Sequence, residues 1–283
     1  MVQINVKREY PIFKANDLIQ KSRFSLSLAE QKTVAYICSL LQENDPTYTP
    51  TPGEPWRLEY KFDIREYCQI CGLDYDNGNN YAQVKATLKK LSDRSMWVPI
   101  DGEDVLCRWL AKVRTNKRSG IATIKLDDDM VPYLFGLKKY FTRYELINIL
   151  GMKSAYSIRL YEVLKSYANM HEFEISVQKF KELMGIENLK TYKDFWYVRE
   201  KVLDIAITEI NRLTDLEVQY LLDRSGRGRG GSVKNIKFII SEKGTWERIQ
   251  AQTNTLNILN GHIPGQTKLD LEGVNAEGNN DEW

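Results

Sequence analysis

The stretch FDIREYCQICGL, from Phe62 to Leu73, has a counterpart in FEISVQKFKELMGI, from Phe173 to Ile186. Each opens with Phe-acid-Ile, passes through a short amphipathic segment and stops at a glycine followed by a branched apolar residue. An internal repeat means that one supersecondary plan is used twice, which narrows the possible folds sharply. The surroundings repeat as well. Ahead of the first copy, SLAEQKTVAYICSLLQ begins with Ser27 and Glu30 in capping-box spacing and sets Val34, Ile37, Cys38 and Leu41 at helical intervals. Ahead of the second, SAYSIRLYEVLKSYAN lines Tyr156, Leu160, Val163, Leu164 and Tyr167 along one side. After each copy come a loop, a tyrosine (Tyr81, Tyr192), a longer helix and strand-like runs joined by a basic turn. Helix, strand, helix, helix and hairpin is the plan of a winged helix-turn-helix domain. The expected fold is α+β: two tandem winged helix-turn-helix domains, residues 10–140 and 141–250, and a disordered acidic tail, 251–283.

The net charge of +2 hides an asymmetry. Residues 251–283 carry Lys268 against Asp270, Glu272, Glu277, Asp281 and Glu282, a balance of −4 that leaves +6 for the rest. A body so mildly basic meets DNA through local clusters of cations. No apolar run approaches the roughly 20 residues of a membrane helix, and the start MVQINVKREY lacks the order of a signal peptide. The expected setting is the cytoplasm, with no membrane partner. Cys38, Cys68, Cys71 and Cys107 are too scattered for a disulfide framework and read as reduced thiols. Cys68 and Cys71 form a C-x-x-C, but only two isolated cysteines, His171 and His262 remain as partners, without zinc spacing. They read as small buried residues of a helix, and no metal or cofactor is expected.

The loop DRSGRGRGGSVKNIKF, residues 223–238, formally contains G-x-G-x-x-G at Gly226, Gly228 and Gly231. A dinucleotide site needs a strand before that motif and a helix after it. Here LEVQYLL precedes and VKNIKFII follows, both of strand composition, so the glycines mark a hairpin tip. Such a tip leaves Arg224, Arg227, Arg229 and Lys234 free to reach phosphates as the wing of a DNA-binding domain.

A recognition helix needs one face for the core and another for the groove. Between about Asp194 and Asn211 the expected core stripe is Phe195, Val198, Val202 and Ile205, with Lys193, Tyr197, Glu200, Lys201, Asp204 and Thr208 projecting elsewhere. Residues near the start of such a helix read bases, which singles out Lys193, Tyr197, Glu200 and Lys201, with Arg199 beside them for a phosphate. Glu accepts from cytosine and Lys donates to guanine. In the first domain the equivalent helix buries Tyr81, Val84, Leu88 and Leu91 and presents Asn79, Gln83, Ala86, Lys89 and Lys90. Its wing is the hairpin carrying Lys112, Arg114, Lys117 and Arg118, while Trp97 and Trp109 are expected in the core.

Catalysis has little support. The two histidines match no triad, no His-x-His holds the metal of a strand-nicking nuclease, and the acids Asp127 to Asp129 suit a helix start. NDLIQKSRFSLSLAEQKTVAYICSLL (16–41), SAYSIRLYEVLKSY (154–167) and YKDFWYVREKVLDIAITEIN (192–211) resemble, in order, the opening helices, the helix before recognition and the recognition helix of a known family. That family is the replication initiators of iteron-bearing, theta-replicating plasmids, which includes the Rep initiator of the F plasmid. The resemblance implies a protein that binds directly repeated double-stranded sites as a monomer, opens adjacent A·T-rich DNA and engages the host initiator ATPase and replicative helicase. It also implies a dimer, joined mainly through the first domain, that represses its own gene. Carried over by position, Ser154, Tyr156 and Arg159 become backbone contacts, and Lys193, Arg199, Glu200 and Lys201 lie in or near the groove. Phe195, Trp196 and Tyr197 depart from the family pattern, where arginines are more frequent. Two other readings stand beside it: a tandem winged-helix transcription regulator and an origin-nicking nuclease with a tyrosine nucleophile.

Overall fold

The computed structural model describes residues 6–22, 25–41, 48, 53–73, 80–100, 102–225 and 232–261. From its start the chain runs β1 (Pro11–Ala15), α1 (Asn16–Lys21), α2 (Leu28–Ser39), β2 (Glu59–Asp63), α3 (Ile64–Cys71) and α4 (Asn80–Asp93). The strands β3 (Ser95–Ile100), β4 (Glu103–Arg108), β5 (Leu110–Asn116) and β6 (Ile121–Leu126) follow. A connection made of α5 (Val131–Leu134), β7 (Phe141–Glu145) and α6 (Ile147–Leu150) leads to α7 (Ala155–Ser166), β8 (Glu172–Ser176) and α8 (Val177–Met184). Last come α9 (Phe195–Val198), α10 (Asp204–Leu213), β9 (Leu216–Ser225), β10 (Ser232–Glu242) and α11 (Thr245–Leu259).

The repeated sequence makes a repeated structure. Asp63 caps α3 by accepting from the Glu66 N–H at 3.0 Å, and Ser176 caps α8 by accepting from the Lys179 N–H at 3.3 Å. Both helices end on a left-handed glycine, Gly72 at φ 69° and Gly185 at φ 68°, a conformation that a Cβ would disfavour. The sheets match too: β2-β6-β5 in one unit and β8-β10-β9 in the other, all antiparallel, the entering strand pairing with the returning arm of the hairpin. Ser27 and Glu30 form the expected capping box on α2, the Glu30 carboxylate accepting from the Ser27 N–H at 2.7 Å.

One buried cluster runs through both units. β7, just past the boundary expected at residue 140, pairs with β1 from Pro11↔Glu145 to Ala15↔Phe141, so the first unit's opening strand closes on the connection. Lys14 of β1 reaches Glu162 of α7 at 2.6 Å, the two side chains being 5 % and 6 % exposed. Gln31 of α2 donates to the Ala155 carbonyl at 3.0 Å. The four cysteines are buried, and burial raises the Cys38 and Cys71 thiols to about 11 and about 12.

Two expectations are corrected by the structure. The segment from residue 251 does not begin as a tail: α11 runs to Leu259, and Ala251, Thr255 and Leu256 are 3 %, 0 % and 8 % exposed. A Cβ on Gly151 would lie 3.0 Å from Thr255, and Leu259 lies against Gly72, so α11 crosses from the second unit to the first. Residues 262–283 of the expected tail lie outside the described residues. Trp109 is buried as expected, but Trp97 is 58 % exposed. It sits on β3, which pairs with β4 in a separate two-stranded sheet; Met96, Val98 and Cys107 turn inward while Trp97 and its cross-strand partner Leu106 face out. Alternation puts every second residue on a face that no other described residue covers.

Candidate nucleic-acid interface

The second unit's long helix starts at Asp194, whose carboxylate accepts from the Trp196 N–H at 2.9 Å. It is not a uniform α-helix, because Arg199–Leu203, between α9 and α10, form a π turn. The extra residue of a π turn rotates everything after it by about 100° relative to an uninterrupted helix. Hence the buried stripe is Val198, Val202, Leu203, Ala206, Ile210 and Leu213. Ile205, expected in that stripe, is 41 % exposed for this reason, and Phe195 is only half-buried. The adjacent pair Val202-Leu203, where one apolar residue would have kept period, is the sequence signal of the shift.

Lys193, Tyr197, Glu200 and Lys201 are all exposed, as a groove-facing set requires. Lys201 and Glu200 pair with each other at 2.8 Å on this open face. Exposed pairs of this kind contribute little, so both groups are available to a better partner. Arg199 is braced instead: its Nε donates to the Tyr220 hydroxyl at 2.9 Å and lies 3.4 Å from the Asp204 carboxylate. Lys190, Thr191, Lys193, Asp194 and Tyr197 line an open depression at the helix start. Sequence reasoning misses Lys190, since it lies in a short 3₁₀ turn with no periodicity to place it.

The wing is the β9–β10 hairpin, paired from Leu216↔Glu242 to Ser225↔Ser232. Arg224 is exposed opposite Val233, and Lys234 is the extra residue of a bulge between Val233 and Asn235, a device that re-aims a side chain. Arg227 and Arg229 lie outside the described residues.

Of the three residues assigned to α7 and its start, Ser154 is the N-cap and is half-buried, and Tyr156 meets Tyr192 edge-on at 6.3 Å. The assignment of Arg159 to a phosphate is corrected. It is 4 % exposed, and its guanidinium donates to the Ser22 carbonyl at 2.9 Å and the Leu183 carbonyl at 3.3 Å. A group so enclosed does not reach a phosphate; it ties the first unit to α7 and α8. Burial, partly opposed by Glu162, lowers its pKa to about 10.

In the first unit α4 buries Val84, Leu88 and Leu91 and exposes Gln83, Lys89 and Lys90, with Lys85 and Ala86 on the open side as well. Lys89 pairs with Asp93. Asn79 lies outside the described residues. Lys112, Arg114, Lys117 and Arg118 are exposed along the β5–β6 hairpin, Arg114 pairing with Glu59 at 2.8 Å. Asn116 accepts from the Arg118 and Ser119 N–H groups, which shapes the tip and leaves the Lys117 and Arg118 side chains outward. Asp127 caps a 3₁₀ turn by accepting from the Asp129 N–H, as expected of acids at a helix start. Among the described residues no helix is long and apolar enough to cross a membrane.

Family models match both units: "Initiator Replication protein, WH1" over residues 11–165 and "Initiator Rep protein, WH2" over residues 176–240. A replication initiation protein of Escherichia coli is 26 % identical over 230 residues, covering 77 % of this chain and 67 % of that protein. A 27.6 kDa Escherichia coli protein is 25 % identical over 228 residues, 78 % of this chain and 93 % of its own length. Among solved structures, the Pi initiator protein in complex with iteron DNA superposes with a TM-score of 0.63 at 19 % identity, covering 84 % of this chain and 99 % of that one, which supports the shared fold.

Proposed function

Because this chain belongs to the Initiator Replication protein family, matched over both of its winged-helix domains, we propose that it is a plasmid replication initiator that binds directly repeated double-stranded sites, iterons, at its origin. The observation that carries this reading is that each unit presents the same two elements, an exposed helix face and a basic hairpin, while a common core joins the units. Two unlike copies of one DNA-reading unit in a single chain suit an asymmetric site, and such sites recur in one orientation without needing a two-fold axis.

Base reading is assigned to Lys193, Tyr197, Glu200 and Lys201, and phosphate contact to Arg224 and Lys234. Lys201→Ala should change the preferred base at one position, by about 1–3 kcal/mol of discrimination. Arg224→Ala combined with Lys234→Ala should weaken binding to every duplex alike and lower the log–log salt slope by about 2, near 0.9 for each phosphate no longer neutralised. Competition titrations at several salt concentrations separate the two, and identical behaviour of both variants contradicts the division of labour.

The proposal extends to opening the adjacent DNA, to engaging the host initiator ATPase and replicative helicase, and to self-association with repression of its own gene. A second copy is assigned to the open face of Trp97 and Leu106, where two large apolar side chains pair across β3 and β4 in solvent. Trp97→Lys with Leu106→Lys should leave a monomer in sedimentation at concentrations where the unaltered chain associates; an unchanged dimer sinks that assignment. The reading contains no nuclease step. Supercoiled origin DNA incubated with the protein and Mg²⁺ is expected to stay supercoiled, and a nicked product argues for the enzyme.

A further inference from the structure

Trp196 stands on the first turn of the recognition helix with 52 % of its surface open. An indole so exposed is not there for the core. Two guanidiniums lie within cation–π reach of it, that of Arg199 at 5.3 Å and that of Arg224 at 5.7 Å from the ring centroid. They come from different elements, Arg199 from the π turn of the helix and Arg224 from β9 near the tip of the wing. Arg199 is already held by Tyr220 and Asp204. Arg224 is exposed, and the helix side chain it meets is Trp196. The ring is therefore the contact that relates the wing's cation to the helix.

We propose that Trp196 is a positioning residue for DNA binding, its ring holding Arg224 of the wing in register with the recognition helix so that phosphate and base contacts form together. The inference rests on the reading of β9–β10 as the wing. An unrestrained arginine loses rotamer freedom when a phosphate orders it, and that loss weakens binding. A guanidinium laid on an aromatic face is restrained beforehand, and its edge N–H groups remain able to donate to a phosphate.

The test is a double-mutant cycle on DNA binding, using duplex that carries the repeats beside the protein's own gene. In the unaltered protein Arg224→Ala is expected to weaken binding about five-fold; after Trp196→Ala the same change should cost less than about two-fold. Trp196→Phe, which keeps an aromatic face, should restore most of the five-fold effect, and Trp196→Leu, which keeps bulk alone, should not. Trp196→Ala and Arg224→Ala should each lower the salt slope by about 0.9, with thermal midpoints unchanged. If Arg224→Ala still costs about five-fold after Trp196→Ala, or if leucine serves as well as phenylalanine, Trp196 does not position Arg224. If the unaltered protein prefers the repeats to random duplex no more than any basic protein would, both this inference and the reading beneath it fall.

Discussion

Glu162→Ala is expected to lower the unfolding free energy by about 3–5 kcal/mol, measured by denaturant titration. The carboxylate is buried with three cationic or hydroxyl groups around it: Lys14 at 2.6 Å, the Tyr144 hydroxyl, which donates to the same oxygen, and Arg159 nearby. Removing it leaves the Lys14 ammonium, itself 5 % exposed, without its counter-charge. For that reason Lys14→Met added to Glu162→Ala should recover part of the loss, whereas an exposed pair would show neither effect. The sign of the pH dependence follows from the same contacts. Burial pushes the Glu162 pKa up, but the attraction of Lys14 and the hydrogen bonds from Lys14 and Tyr144 outweigh it and hold the group below the usual carboxylate value. A depressed carboxylate stabilises fully above its unfolded pKa, and the contribution is lost as pH falls through the folded value. Stability of the unaltered chain should thus fall as pH drops below the ordinary carboxylate range, and Glu162→Ala should remove that part of the acid sensitivity.

A chain ending at Gly244 is expected to be several kcal/mol less stable than one ending at Gly261, and to lose at least about ten-fold in preference for its repeats over random duplex. The comparison isolates α11, which buries Ala251, Thr255 and Leu256 and sets Leu259 against Gly72. A buried leucine such as Leu256 contributes about 1.5–3 kcal/mol, and Ile258 and Leu259, which pack against the core while partly buried, add to it. Its polar contacts join the recognition helix to the connection that β1 of the first unit closes on: Asn254 donates to the Arg212 carbonyl of α10 at 3.1 Å, and Gln252 donates to Glu145 of β7 at 3.2 Å. Without α11 the two units should still bind DNA through their cations, with less agreement between them. Retained stability and retained preference in the shorter chain would show that α11 does not join the units.

The parts of this molecule that are legible in the sequence are those governed by local chemistry. Capping at Ser27, Asp63 and Ser176 and the glycines that end α3 and α8 depend on neighbours a few residues away, so the repeat they punctuate can be read directly. The pairing of β9 with β10 is legible because both runs have strand composition. What escapes is set by distant contacts. Arg159, carried over by position as a backbone contact, is made an internal brace by the approach of Ser22 and Leu183. Residues 251–259 look like the start of a tail because the acids that follow residue 269 dominate the composition of the whole segment, while Ala251 and Thr255 are too small and polar to announce a buried face. The π turn breaks the period that locates the recognition helix, so an uninterrupted helical count puts Ile205 on the wrong side.

The measurement that bears most directly on the account is a nuclease footprint of the purified protein on the DNA flanking its own gene. Binding by two unlike reading units in one chain predicts evenly spaced protections over several repeats in the same orientation. A single protected inverted repeat at the promoter, with nothing beside it, would contradict the initiator and leave a transcription regulator in its place.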